Sequence, residues 1–287
     1  MTLLDKYINP LTDFGFKKLF GTESNKDLLI DFLNQLMPAH HQIQDLTFEK
    51  NEQLGESEID RIVVFDIFCK SKNGEHFIVE IQRKKQEYFK DRSILYSTYP
   101  IHQYAEKGRA YDFQLPVIYT IAILDFTFDD YQDDPNMVHH IKLKDENGKV
   151  FYDKLSYIYI ELPKFKKTLE ELETHFDKWL FVLKWLNKLQ ERPKPLQERV
   201  FKKLFKLAEI AKYNKMERAQ YEQNLKQYRD LRNVVNYAKD EVRIETIKNG
   251  LAEGVPLELL SKLTKLPIDE IKRIISEKGW NTNNKND

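Results

Sequence analysis

A single cysteine, Cys69, stands among the 287 residues. That excludes an internal disulfide framework and a cysteine-built zinc cluster, and a reducing, cytoplasmic setting is expected. Glycine loops that cradle phosphate are missing too. The chain contains no GxxxxGK(S/T), no GxGxxG and no GxSxG, so P-loop, dinucleotide and nucleophile-elbow chemistries have no support. Seven histidines include the pairs His40-His41 and His139-His140, but no HExxH, which removes the commonest zinc-hydrolase signature. Excess charge of one sign is absent, with 46 basic against 46 acidic residues, so the chain is no polycationic coat protein. No apolar run approaches the ~20 residues a membrane span needs, and Met1 to Pro10 does not read as a secretion signal.

What is present is apolar and aromatic residues enough for a core: 41% hydrophobic, with 18 Phe and 15 Tyr. Charge is divided along the chain. Residues 1–165 hold 20 Lys+Arg and 27 Asp+Glu, a net −7, and residues 166–287 hold the compensating +7. The pattern changes at the same place, from mixed strands and helices to helices punctuated by Pro163, Pro193 and Pro195. This predicts an α/β N-terminal domain over 1–165 and an all-α C-terminal region over 166–287.

In the first part, Thr12 to Phe20 reads as a short helix, and Leu28, Leu29, Phe32, Leu33 and Leu36 stripe a second, capped by Ser24 or Asn25. Strands are expected at 43–53, at Ile62 to Cys69 (apolar on both faces), at His76 to Gln82, at Val117 to Phe126, at Ile141 to Leu143 and at Tyr157 to Leu162. A helix over Asp91 to Glu106 separates the third strand from the fourth, and Gly108 ends it. The order is helix, three strands, helix, strand: a mixed sheet with helices packed on it.

Two carboxylates sit where carboxylates are costly. Asp66 lies within Val63-Val64-Phe65-Asp66-Ile67-Phe68, and Glu80 within Phe77-Ile78-Val79-Glu80-Ile81-Gln82. A buried carboxylate needs a partner, and two on adjacent strands suit a shared hard cation, Mg²⁺ or Mn²⁺. Hairpin arithmetic tests whether they meet. A two-residue Asn73-Gly74 loop gives paired residues a constant sum of 147 and puts the two on opposite faces. A three-residue loop of Lys72-Asn73-Gly74, with Gly74 left-handed, gives 146. Asp66 then opposes Glu80, and Gln82 and Lys84 follow on the same face by the period of two.

An Asp, a hairpin and then Glu-x-Gln on the next strand resembles the PD-(D/E)XK nuclease superfamily, with its restriction-endonuclease-like mixed sheet. More specifically, the chain resembles the Rpn family of recombination-promoting nucleases, the PD-(D/E)XK nuclease family transposases. The likeness runs through Asn9-Pro10-Leu11-Thr12-Asp13-Phe14-Gly15-Phe16-Lys17-Lys18-Leu19-Phe20-Gly21, Asp66-Ile67, Ile78 to Gln82, Asp91 to Tyr96 and Tyr157 to Phe165, and on into the helical tail. The resemblance implies a metal-dependent DNA endonuclease working in recombination or transposition, with Asp66 and Glu80 as ligands of Mg²⁺ or Mn²⁺. Gln82 stands where the superfamily at large has Lys, and it is either catalytic or a plain polar satisfier. Lys84 is a candidate substitute cation. Lys17, Arg92 and Tyr96 are candidate DNA contacts, with a solvated charge and a surface ion pair as the plainer readings of the first two. Asp13, with Lys17, either lines the cleft or caps its helix. The alternative function is a DNA-binding or oligomerising protein that keeps the fold and has lost its rate, and action on RNA is the third reading.

Beyond residue 165, two amphipathic helices are expected, one carrying Phe176, Trp179, Leu180, Leu183, Leu186 and Leu189 and one carrying Phe201, Leu204, Phe205, Leu207, Ala208 and Ile210. Residues 256–276 read as helix, tight turn, helix, a small helix-turn-helix or a packing hairpin. The +7 of this region makes Lys202, Lys203, Lys206, Lys212, Lys215 and Arg218 candidates for attracting DNA, against the reading that they are solvated. Self-association through the C-terminal helices is expected, and no membrane partner.

Overall fold

The structure, a computed structural model, describes residues 5–39, 41–50, 52–53, 63–107 and 114–280. The chain forms two compact units, Met1–Lys226 and Gln227–Asp287.

The first unit opens on a turn that explains its sequence. Asn9 Oδ1 accepts from Leu11 N (2.9 Å), Thr12 Oγ1 donates to Asn9 O (2.8 Å), and the same hydroxyl accepts from Gly15 N (3.0 Å), capping helix α1, Asp13–Phe20. The turn is so tight that a Cβ on Gly15 would lie 2.1 Å from Asn9 O. Gly15→Ala is therefore expected to destabilise the unit by about 1–3 kcal/mol, as overpacking against backbone does; a denaturation midpoint equal to wild type would refute this. Asn25 precedes helix α2, Lys26–Asn34, but its side chain donates back to Lys18 O (3.0 Å) and makes no cap bond.

The sheet has six strands in the order β1-β4-β5-β6-β8-β7: β1 Leu46–Phe48, β4 Ile67–Ser71, β5 His76–Gln82, β6 Ile118–Leu124, β7 Val138–Lys144 and β8 Val150–Glu161. β5–β6 and β6–β8 are parallel and the other pairs antiparallel. The remaining strands, β2 Glu52–Gln53 and β3 Val63–Val64, form a separate two-stranded ladder. Two expectations change here. The segment 43–53 is two short strands with different partners. The Ile62–Cys69 run breaks at Phe65-Asp66, because the Asp66 carboxylate takes a backbone N–H of β5; nor is it buried on both faces, since Val64 is 43% exposed. Ile62 itself, like Gly108, lies outside the described residues. β8 begins seven residues before the apolar Tyr157–Leu162 stretch, in mixed and largely solvent-facing sequence that pairs with β7 across a turn at Gly148 (φ +80°).

Helix α3, Phe89–Lys107, covers the sheet face that carries Ile78, Glu80, Thr120, Ala122, Tyr157 and Tyr159. Two hydroxyl pairs fix it there: Ser93 Oγ to Tyr159 Oη (2.6 Å) and, one turn on, Ser97 Oγ to Tyr157 Oη (2.7 Å). Phe89 fills the gap beside Ala122, Leu124 and Phe128. Residues of the opposite face, such as Val79, Ile121, Ile123 and Ile160, are fully buried as well.

The sheet ends at Glu161, and all later regular structure is helical. Helices α4, His175–Trp185, and α5, Arg199–Ala208, still belong to the first unit. Trp179 of α4 meets Phe20, Phe32 and Phe201 with ring centroids 5.1–5.7 Å apart, Phe205 of α5 meets Tyr7, and Ile8 N donates to Ala208 O (2.9 Å). Helix α6 is Lys215–Ala252; its Tyr221 Oη accepts from Asn9 N (2.8 Å). In the second unit, Ile247 of α6 packs with Leu260 of α7, Leu257–Thr264, and with Ile271 and Ile275 of α8, Ile268–Lys278. A left-handed Lys265 (φ +58°) makes the turn between α7 and α8. Among the described residues, no helix is long and apolar enough to cross a membrane.

Candidate active site

The site is built at the end of the β4–β5 hairpin. Gly74 is left-handed (φ +89°), and the paired residues Ile67–Val79, Phe68–Ile78, Cys69–Phe77 and Lys70–His76 sum to 146, the three-residue-loop register. One step further the backbone ladder gives way to side chains. Asp66 N donates to Glu80 Oε1 (3.0 Å), and Ile81 N donates to Asp66 Oδ2 (2.7 Å). Each carboxylate thus binds the main chain beside the other acid. Asp66 is half-buried and Glu80 is 5% exposed.

Both acids hold their protons more tightly than ordinary carboxylates. For Asp66 the main cause is burial, eased by the Ile81 N–H and the charge of Lys17. Glu80 is pushed further, first by burial and then by the Asp66 charge, against the Asp66 N–H, Arg92 and Lys17. Tyr96, half-buried on α3, is raised by burial and by the charge of Glu80.

The donor set fits a hard cation. It consists of oxygen ligands on two acids that repel one another, without thiolate or imidazole, and so suits Mg²⁺ or Mn²⁺ better than Zn²⁺. Among the described residues, no group of three or more His, Cys, Asp or Glu gathers into a metal site. Two carboxylates with the remaining positions left to backbone oxygen, water and substrate is an ordinary arrangement for Mg²⁺.

The other candidates divide. Gln82, 6% exposed, donates from Nε2 to Lys84 O (3.0 Å) and accepts at Oε1 from Arg92 Nη2 (2.8 Å). Arg92 also donates to Gln86 and lies 5.4 Å from the Tyr96 ring centroid. Gln82, Arg92 and Tyr96 are therefore gathered beside Glu80. Lys84 is not brought in by alternation, because β5 ends at Gln82 and Lys84 is exposed on the following segment. Its neighbour Lys85 pairs with Asp129, and Lys90 with Asp130 (2.5 Å). Lys17 pairs with Asp13 (2.8 Å) one turn apart on α1, close enough for both charges to act on Asp66. An open groove of about 410 Å³ runs beside them, lined also by Lys18, Thr22, Gln220 and Asn224.

Several C-terminal cations are committed elsewhere. Lys203 pairs with Asp27, Lys212 with Glu209, and Arg218 donates to the Tyr213 and Ala211 carbonyls, while Lys202 and Lys206 are exposed on α5. On α8, Arg273 lies between Glu270 and Glu277. The most deeply buried of the acids that escaped sequence reasoning is Glu161, at the end of β8. It accepts from Phe128 N (2.7 Å) and meets His139 Nε2 (3.0 Å) and Lys164 Nζ (2.5 Å). These partners satisfy it, and it braces the loop after β6. Its only sequence signal is an acid closing an apolar strand.

Comparison with known proteins returns one family. Residues 10–238 match the profile of the PD-(D/E)XK nuclease family transposases. No curated protein and no solved structure matches. The matched span contains the whole hairpin, α3 and the six-stranded sheet, whose order and flanking helices agree with the PD-(D/E)XK fold. The chain belongs to the PD-(D/E)XK nuclease family transposases, a family of nuclease type.

Proposed function

We propose that the protein is a cytoplasmic, Mg²⁺- or Mn²⁺-dependent endonuclease that hydrolyses phosphodiester bonds of DNA in recombination or transposition. One observation carries the reading: a buried Glu80 and a half-buried Asp66, each hydrogen-bonded to the main chain beside the other, at the end of a strand where an arginine is also held. Asp66 and Glu80 are the metal ligands. The bound ion supplies Lewis acidity toward the phosphate and lowers the pKa of a coordinated water. Arg92, Tyr96 and Lys17 contact the DNA, and the hydrogen bonds from Ile81 N and Asp66 N hold both carboxylates in place before metal arrives. Residues 1–165 carry the chemistry and the helices of 166–287 support it. Exposed Val234, Tyr237 and Val242 of α6 favour self-association through that region.

A second reading, a binding protein of the same fold with little or no rate, is favoured by Gln82, which cannot carry the charge of the superfamily's Lys. A plasmid-nicking assay decides. Nicking with Mg²⁺ or Mn²⁺, none with EDTA and none by Asp66→Asn supports the enzyme; DNA retention without nicking under every metal supports the second reading. Cleavage of an RNA hairpin in preference to the plasmid would transfer the proposal to RNA.

A further inference from the structure

The orientation of Gln82 is determined at both ends of its amide. Nε2 donates to the Lys84 carbonyl, so Oε1 is the atom turned to Arg92, which donates to it from Nη2 at 2.8 Å. The guanidinium is fixed on its other sides as well: Nη1 donates to Gln86, and the rings of Phe89 and Tyr96 lie 5.5 and 5.4 Å from it. The helix beneath cannot slide, because Ser93 and Ser97 tie it to β8. A guanidinium is a cation with five donors and no acceptor. Among the described residues it forms no ion pair, and its buried Nε has no hydrogen-bond partner. A buried donor without an acceptor is costly, and a guanidinium held only by neutral partners, beside two acids, is a site for an anion.

We infer that Arg92 is the site's cation, binding the scissile phosphate, and that Gln82 is the residue that positions it. The inference rests on the nuclease reading and deepens it: a charge that the superfamily places on the strand is supplied here from the helix, and the strand position has become neutral to accommodate it. Lys84, exposed beyond the end of β5, does not fill this role.

The pairing makes an unusual prediction. Gln82→Lys, a return to the superfamily's commoner residue, places an amine against the guanidinium and is damaging. Arg92→Gln removes the cation. Together the two substitutions leave one cation, moved from helix to strand. In the full-length protein each single variant is expected to lower the nicking rate by roughly 10²-fold, with the double variant about tenfold or less below wild type. Mn²⁺ affinity, measured calorimetrically without DNA, provides a readout independent of turnover. It should weaken in Gln82→Lys, tighten in Arg92→Gln, and return near the wild-type value in the double variant. Circular dichroism and melting curves confirm that each variant folds. Losses that multiply in the double variant, or an Arg92→Gln variant with wild-type rate and affinity, overturn the inference. Failure of wild-type protein to cleave with any metal instead overturns the nuclease reading, while the calorimetric comparison still tests the Gln82–Arg92 coupling.

Discussion

Asp66→Asn and Glu80→Gln are each expected to reduce metal-dependent cleavage by roughly 10³-fold or more, the scale of several kcal/mol of transition-state stabilisation. Neither should unfold the protein. Asn keeps an oxygen for Ile81 N, and Gln keeps one for Asp66 N, so the hydrogen bonds that shape the end of the hairpin survive. Without metal, Glu80→Gln is expected to melt higher than wild type at pH 7. Burial and the Asp66 charge raise the Glu80 pKa in the folded state. The folded protein then binds its proton more tightly than the unfolded chain, and stability falls as pH rises above the unfolded value of about 4. The neutral amide escapes that penalty, so the melting difference should shrink toward zero as pH falls to about 4. Mg²⁺ should raise the wild-type midpoint and leave both variants unmoved. A variant that melts lower at pH 7 and higher at pH 4 than wild type would reverse the sign and remove the argument.

The second large effect is one of truncation. A chain ending at Lys226 is expected to fold, and one ending at Phe165 is not. The shorter chain lacks Trp179, Phe201 and Phe205, which fill the space against Phe20, Phe32 and Tyr7, and it lacks the Ala208 carbonyl and Tyr221 hydroxyl that hold Ile8 and Asn9. Removing one such aromatic side chain costs about 3–5 kcal/mol. Losing three exceeds much of the ~5–15 kcal/mol by which a domain is stable. A cooperative melt and native-like near-ultraviolet dichroism in the 1–165 fragment would contradict this.

Much of the site could be read from local sequence. Asn73-Gly74 and the spacing of Asp66 and Glu80 define the hairpin register, because turn chemistry and the period of two act over a few residues. The residues that eluded that reading answer to longer-range physics. The break at Phe65-Asp66 arises from a side chain taking the place of the ladder. The exclusion of Lys84 from the site's face arises from β5 ending at Gln82. The Gln82–Arg92 bond depends on where α3 lies on the sheet, and that is determined by tyrosines 60 and 66 residues from the serines they bind. The change of charge and pattern near residue 165 was visible, and it marks the last strand. That the compact unit runs to Lys226 depends on aromatic packing which no periodicity reveals.

The three-residue turn at Gly74 also bears on how the chain assembles. A hairpin closes in about 1–10 μs, whereas the parallel β5–β6 and β6–β8 pairs must first bridge long intervening segments and so form late. Asp66 and Glu80 therefore come together while the hairpin is still open to water, which screens them from one another. Their repulsion is felt when α3 and β6 close over the hairpin. The kinetic signature follows: acid pH or Mg²⁺ should accelerate the slow, sheet-completing phase of refolding and leave the fast phase unchanged.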